Sequence, residues 1–164
     1  MTTTAVVVSK DRPFQLKECL RSLFAHTEAP QVAASVIWCA STEDLRTDYG
    51  CVGRDFPAVC MLEESDAEDF GTLLRRAVEG AAPHVMFVVD DVVFIDTVPL
   101  ADALGALADH PDVLVYHMKL HPGVWYCHTA GRCCTPPRLE YAGAASAAFN
   151  LAEGVLDWSY PWDL

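Results

Sequence analysis

A chain of 164 residues and 17.9 kDa fits one domain, since single hydrophobic cores commonly serve roughly 100–200 residues. Its 52% hydrophobic and 21% charged residues exclude a disordered tail or a low-complexity segment. Eleven Lys and Arg stand against 23 Asp and Glu, and the net charge of −12 disfavours nucleic-acid backbones and anionic lipid surfaces as partners.

The amino-terminal MTTTAVVVSKDRP reads as a first strand over Ala5–Ser9 rather than a signal peptide. Pro13 then opens a helix whose apolar residues Leu16, Cys19, Leu20, Leu23 and Phe24 recur at helical spacing. A second strand spans Val32–Trp38 and gives way at Ser41–Thr42 to the polar stretch TEDLRTDYG, to which no regular element is assigned. A third short strand fits Ala58–Leu62. Ser65 and Glu68 form a capping box for a helix with Phe70, Leu73, Leu74, Ala77 and Val78 on its apolar face.

The fourth strand, His84–Val89, is a continuous apolar run of the kind buried on both faces of a parallel sheet, and it stops at Asp90–Asp91. Asp96 is placed to cap a helix over about Pro99–Ala108, and Val113–Leu120 reads as a fifth strand. Beyond Pro122 a hairpin or irregular excursion precedes Tyr141–Asn150 and the terminal LDWSYPWDL. No apolar run approaches the roughly 18 residues that cross a bilayer, and the seven scattered cysteines lack the spacing of a disulfide framework. A cytoplasmic chain with reduced thiols is expected. The alternation of strands and helices predicts an α/β, Rossmann-like fold with a mostly parallel central sheet flanked by helices, as one domain: residues 1–121 form the core and 122–164 a looser segment.

In an open α/β sheet, ligands bind where the carboxyl ends of strands meet helix N-termini. The first strand delivers Ser9, Lys10, Asp11 and Arg12 there, the second Ser41 and Thr42, and the fourth Asp90 and Asp91. Two adjacent carboxylates repel and raise one another's pKa unless a counter-charge joins them. Mn²⁺ or Mg²⁺ meets that need with oxygen ligands from both acids and from a substrate phosphate, which also lets an acidic protein hold an anionic ligand.

These residues resemble the GT-A nucleotide-diphospho-sugar transferases, in particular the large family-two-like group. SKDRP is similar to the group's opening after the first strand. The run DFGTLLRRAVEGAAPHVMFVVDD resembles its glycine-led helix, with Arg76 at the position of the family's arginine, followed by a buried strand that closes on the acidic metal motif. DWSYPWDL is similar to a tryptophan and YP-containing stretch in hypothetical members. The chain departs in carrying adjacent Asp90 and Asp91 where many members have Asp, any residue, Asp. It has Cys39–Ala40 where many have an aspartate against the base, and a short acceptor part.

The resemblance implies transfer of a sugar, by a hexosyl- or deoxyhexosyltransferase, from a nucleoside diphosphate sugar to the hydroxyl of a saccharide or other acceptor, with inversion. The metal falls to Asp90 and Asp91, and the nucleotide sugar to Ser9, Lys10, Asp11, Arg12, Ser41, Arg76 and Asp90. The base that takes the acceptor proton is Asp163 or Asp157. Trp125, Trp158 and Trp162 either stack on sugar or fill core. Two other readings stay open: a non-catalytic sugar-nucleotide-binding or scaffold module, and a zinc protein using His117, His121 and the region Cys127, His128, Cys133 and Cys134.

Overall fold

The computed structural model describes residues 3–27, 32–111, 126–127 and 131–133. These fall in two compact units, one ending at Leu100 and the other beginning at Ala101. In the first unit, β1 (Thr3–Lys10), β2 (Val32–Cys39), β3 (Cys60–Glu63) and β4 (His84–Val89) form a four-stranded sheet in the order β3-β2-β1-β4. All three pairings are parallel. The connections run through α1 (Pro13–His26), α2 (Glu43–Asp55) and α3 (Phe70–Glu79), so the α/β, Rossmann-like expectation holds.

Strand alternation sorts the core into two layers. Ala5, Val7, Val36, Trp38 and Val88 pack on one face with Leu16, Cys19, Leu20 and Leu23 of α1 and with Tyr49 and Val52 of α2. Val6, Ile37 and Leu62 pack on the other with Leu73 and Ala77 of α3. Pro13 sits in the first turn of α1, where its missing N–H costs nothing.

Five expectations are corrected. The polar stretch after β2 is the helix α2, capped by Thr42, whose hydroxyl accepts the Leu45 N–H at 3.3 Å. Its buried stripe is only Tyr49 and Val52, too narrow to stand out among polar neighbours. The Ser65 and Glu68 pair does not start α3: their peptide groups bond one another at 3.1 and 3.2 Å and close a separate turn. Asp69 is the cap, accepting the Thr72 N–H at 2.8 Å.

β4 is not buried on both faces, because it lies at the edge of the described sheet, with Phe87 66% exposed. Phe70 and Val78 are exposed too, which narrows the buried face of α3 to Leu73 and Ala77. Asp96 bonds its neighbour Thr97 and stands four positions ahead of α4 (Leu100–Asp109), out of capping reach.

In the second unit, β5 (Tyr126–Cys127) and β6 (Arg132–Cys133) pair antiparallel around Gly131, whose φ of 60° suits a residue without Cβ. Of the hairpin or irregular excursion expected after Pro122, the described residues show this antiparallel pair. The strand proposed at 113–120, the stretch 141–150 and the tail lie outside the described residues. Among the described residues, no helix is long and apolar enough to cross a membrane. Cys19, Cys39, Cys51, Cys60 and Cys133 are thiols rather than half-cystines.

Candidate functional site

The parallel register aligns the carboxyl ends of β1, β2 and β4. Ser9 pairs with Trp38 and Lys10 with Cys39, while Val8 pairs with Val89, so Asp90 leaves β4 beside Ser9. The Asp90 N–H donates to the Val8 carbonyl at 3.2 Å and prolongs the ladder by one rung. Alternation that turns Val88 to the α1 and α2 face carries Asp90 to the same face, where Trp38 and Tyr49 already lie.

A buried hydrogen-bond chain follows. The Ser9 hydroxyl donates to Asp90 Oδ2 at 2.7 Å. Having one proton, it must accept from the Tyr49 hydroxyl at 2.6 Å. Tyr49 in turn accepts the Arg12 N–H at 3.0 Å. Tyr49 is fully buried and stacks on the Trp38 indole, with centroids 4.5 Å apart and planes at 23°. Burial, the largest cause, raises its phenol pKa and keeps the proton in place for donation.

Asp90 Oδ1 faces the other way, 3.5 Å from Arg12 Nη1, and the same nitrogen lies 3.8 Å from Asp91 Oδ2. Asp90 is 5% exposed, whereas the Asp91 side chain is 61% exposed. The fold therefore uses one oxygen of Asp90 and leaves the other to Arg12, while the Asp91 side chain is exposed.

Asp11 turns the chain from β1 into α1 with φ of 56°, a left-handed conformation that aspartate tolerates better than most residues. Its N–H donates to the Cys39 carbonyl at 3.1 Å. Its carboxylate accepts the Ser41 N–H at 2.6 Å and the Ser41 hydroxyl at 2.5 Å, latching the first loop to the second. The side-chain hydrogen bond from Ser41 is the main cause that lowers the Asp11 pKa, followed by the backbone bond.

An open cleft of about 570 Å³ sits at these strand ends, lined among others by Ser9, Lys10, Asp11, Arg12, Trp38, Glu64, Asp90 and Asp91. Of the sequence-predicted residues, the fold gathers Ser9, Lys10, Asp11, Arg12, Asp90 and Asp91 at this cleft and brings Ser41 to Asp11. Ser9 is buried and spent on Asp90 and Tyr49. Arg76 does not line the cleft and pairs instead with Glu68 at 2.5 Å. Asp157, Asp163, Trp125, Trp158 and Trp162 lie outside the described residues, as do His117, His121, His128 and Cys134 of the zinc reading. Cys133 is exposed on β6.

Tyr49 and Trp38 were not singled out from the sequence. The apolar spacing of Leu45, Tyr49, Val52 and Phe56 is a weak helical signal for α2, and with it the phenol, diluted by the polar residues between.

The chain is similar over nearly its whole length to part of a known glycosyltransferase. No protein-family model matches it. The bifunctional glycosyltransferase pgtA of Dictyostelium discoideum is 30% identical over 177 aligned residues, which take in 97% of this chain and 22% of that protein. Two crystal structures of S. aureus TarS, residues 1–349 and a longer chain, each share 21% identity over 68% of this chain and reach a TM-score of 0.48. They are covered to 33% and 20% of their own lengths. A third, of TarS 1–349 in complex with UDP, has a TM-score of 0.46. The chain spans about a fifth of its curated relative. Nearly all of its sequence aligns with part of a bifunctional glycosyltransferase, and its described parallel sheet with helical connections has the α/β, Rossmann-like fold.

Proposed function

We propose that this chain binds a nucleoside diphosphate sugar in the strand-end cleft and transfers the sugar, with a divalent cation, to an acceptor hydroxyl with inversion. The observation that carries the reading is the division of labour at Asp90: Ser9 holds one oxygen while the other is approached by Arg12, whose same nitrogen approaches Asp91. Turn-forming aspartates spend their oxygens on nearby peptide groups. Asp90 has its side chain fixed and an oxygen to spare.

Electrostatics explains the need for a cation. Lys10 and Arg12 face Asp11, Glu64, Asp90 and Asp91 around the cleft, so the lining is net acidic and would repel a diphosphate. Among the described residues, no group of three or more His, Cys, Asp or Glu is placed to hold an ion unaided. A pair of carboxylates suits Mg²⁺ or Mn²⁺, which take further oxygens from water and phosphate. When bound, the ion supplies charge neutralisation on the departing diphosphate. Asp90 and Asp91 hold it, Lys10 and Arg12 add positive charge, and the Asp11–Ser41 latch fixes the loops that border the donor. Asp163 or Asp157 takes the acceptor proton as attack occurs.

Thermal unfolding with UDP or GDP, each with and without Mn²⁺, tests ligand and cation together. A ligand at about 100 times its Kd stabilises by about 2.7 kcal/mol. The expected outcome is a rise in Tm only when nucleotide and Mn²⁺ are both present, and its loss in folded Asp91→Asn. An unchanged nucleotide affinity in that variant overturns the metal role.

A further inference from the structure

Arg12 is placed as the counter-charge of the two acids. Nη1 reaches Asp90 Oδ1 at 3.5 Å and Asp91 Oδ2 at 3.8 Å, both longer than the roughly 2.7–2.9 Å of a tight charge-assisted bond. The guanidinium is thus attracted to both carboxylates without being locked on either. Its backbone is fixed: the N–H donates to Tyr49, and the carbonyl accepts the Leu16 N–H at 3.0 Å in the first turn of α1. The side chain is 53% exposed, so it can swing while the loop stays in place.

The oxygens that Nη1 approaches are the ones left over for a ligand. Asp90 Oδ2 is taken by Ser9, so a cation at this pair must draw on Asp90 Oδ1 and Asp91, and a guanidinium on the same oxygens opposes it. With neither present, the two neighbouring carboxylates have no shared counter-charge.

We infer that Arg12 is a resident counter-cation: it holds the Asp90–Asp91 pair in the nucleotide-free protein, yields those oxygens to the divalent ion, and turns its guanidinium to the diphosphate in the same cleft. This rests on the proposal that the two acids bind a cation. A planar guanidinium makes paired bonds to phosphate oxygens as readily as to carboxylates, so the exchange gives Arg12 a new partner of the same chemistry. It also orders the steps, because the cation opens the arginine to the nucleotide.

The test uses the full chain and Mn²⁺ titrations read by electron paramagnetic resonance. Without nucleotide, folded Arg12→Gln should bind Mn²⁺ about fivefold tighter than the wild type, the scale of one exposed ion pair removed, while its UDP affinity at saturating Mn²⁺ falls by a comparable factor. Equal or weaker Mn²⁺ binding by the folded variant overturns the role of Arg12. Wild-type protein that binds no Mn²⁺, with or without UDP, overturns the cation reading and this inference with it. Mn²⁺ binding that Asp91→Asn abolishes and Arg12→Gln leaves unchanged overturns this inference alone. A measurement on the wild type does not depend on a variant folding: phenylglyoxal labelling of Arg12, mapped by mass spectrometry, should rise on adding Mn²⁺ and fall again on adding UDP. Labelling indifferent to Mn²⁺ overturns the proposal.

Discussion

Replacing Tyr49 by Phe keeps the ring on Trp38 and removes one oxygen. The Arg12 N–H then has no phenol to donate to, and Ser9 loses its donor. Stranding such buried groups costs about 1–3 kcal/mol, and urea unfolding of Tyr49→Phe should show a loss in that range. A double-mutant cycle with Ser9→Ala should be non-additive, since both substitutions cut the same chain. Additive losses would mean that the two hydroxyls act separately. Ser9 and Asp90 were legible as polar residues at strand ends. The bonds that join them to Tyr49 were not, because they link positions 40 and 81 apart and depend on strand register and on a helix hidden in polar sequence. Arg76 illustrates a related point: a motif gives its position on the chain, while Glu68 decides where its guanidinium rests.

The helices divide by how clearly their apolar stripes stand out. In α1, five of fourteen residues are buried, with Leu16, Cys19, Leu20 and Leu23 at the expected spacing, and the sequence reading finds its start at Pro13. In α2, Gly50 and Gly53 lower helix propensity, and two buried residues in thirteen leave little pattern to read. The start of α3 misled for a different reason. Ser65-x-x-Glu68 satisfies the capping-box spacing, but spacing does not tell a helix start from the turn just before one. Asp69→Ala should therefore cost about 1 kcal/mol in thermal or denaturant unfolding, the usual value of an N-cap, while Ser65→Ala costs clearly less. The reverse order would restore Ser65 as the cap. β4 was correctly bounded yet wrongly buried, because a run of Val, Met and Phe reads the same in a central strand and in one with a solvent-facing side.

Among the described residues, those that line the cleft belong to the first compact unit, and the acids proposed to take the acceptor proton come from the tail. Donor binding and turnover should separate accordingly. Asp157→Asn and Asp163→Asn are expected to leave the Mn²⁺-dependent nucleotide Kd, measured by calorimetry, unchanged, while the one that removes the base abolishes sugar transfer. Full turnover in both variants would favour a base elsewhere, and a weakened Kd would place the tail at the donor.

The pairing of Val8 with Val89 has one more consequence. Side chains swap sides with each step along a strand, so sliding β4 by a single residue would aim Asp91 at the phenol and throw Asp90 to the opposite layer. Insertions or deletions between α3 and β4 are thus permissible only when the loop around Ala81–Pro83 absorbs them before His84. In this molecule the spelling of a short loop keeps the time for a cleft at the far end of the sheet.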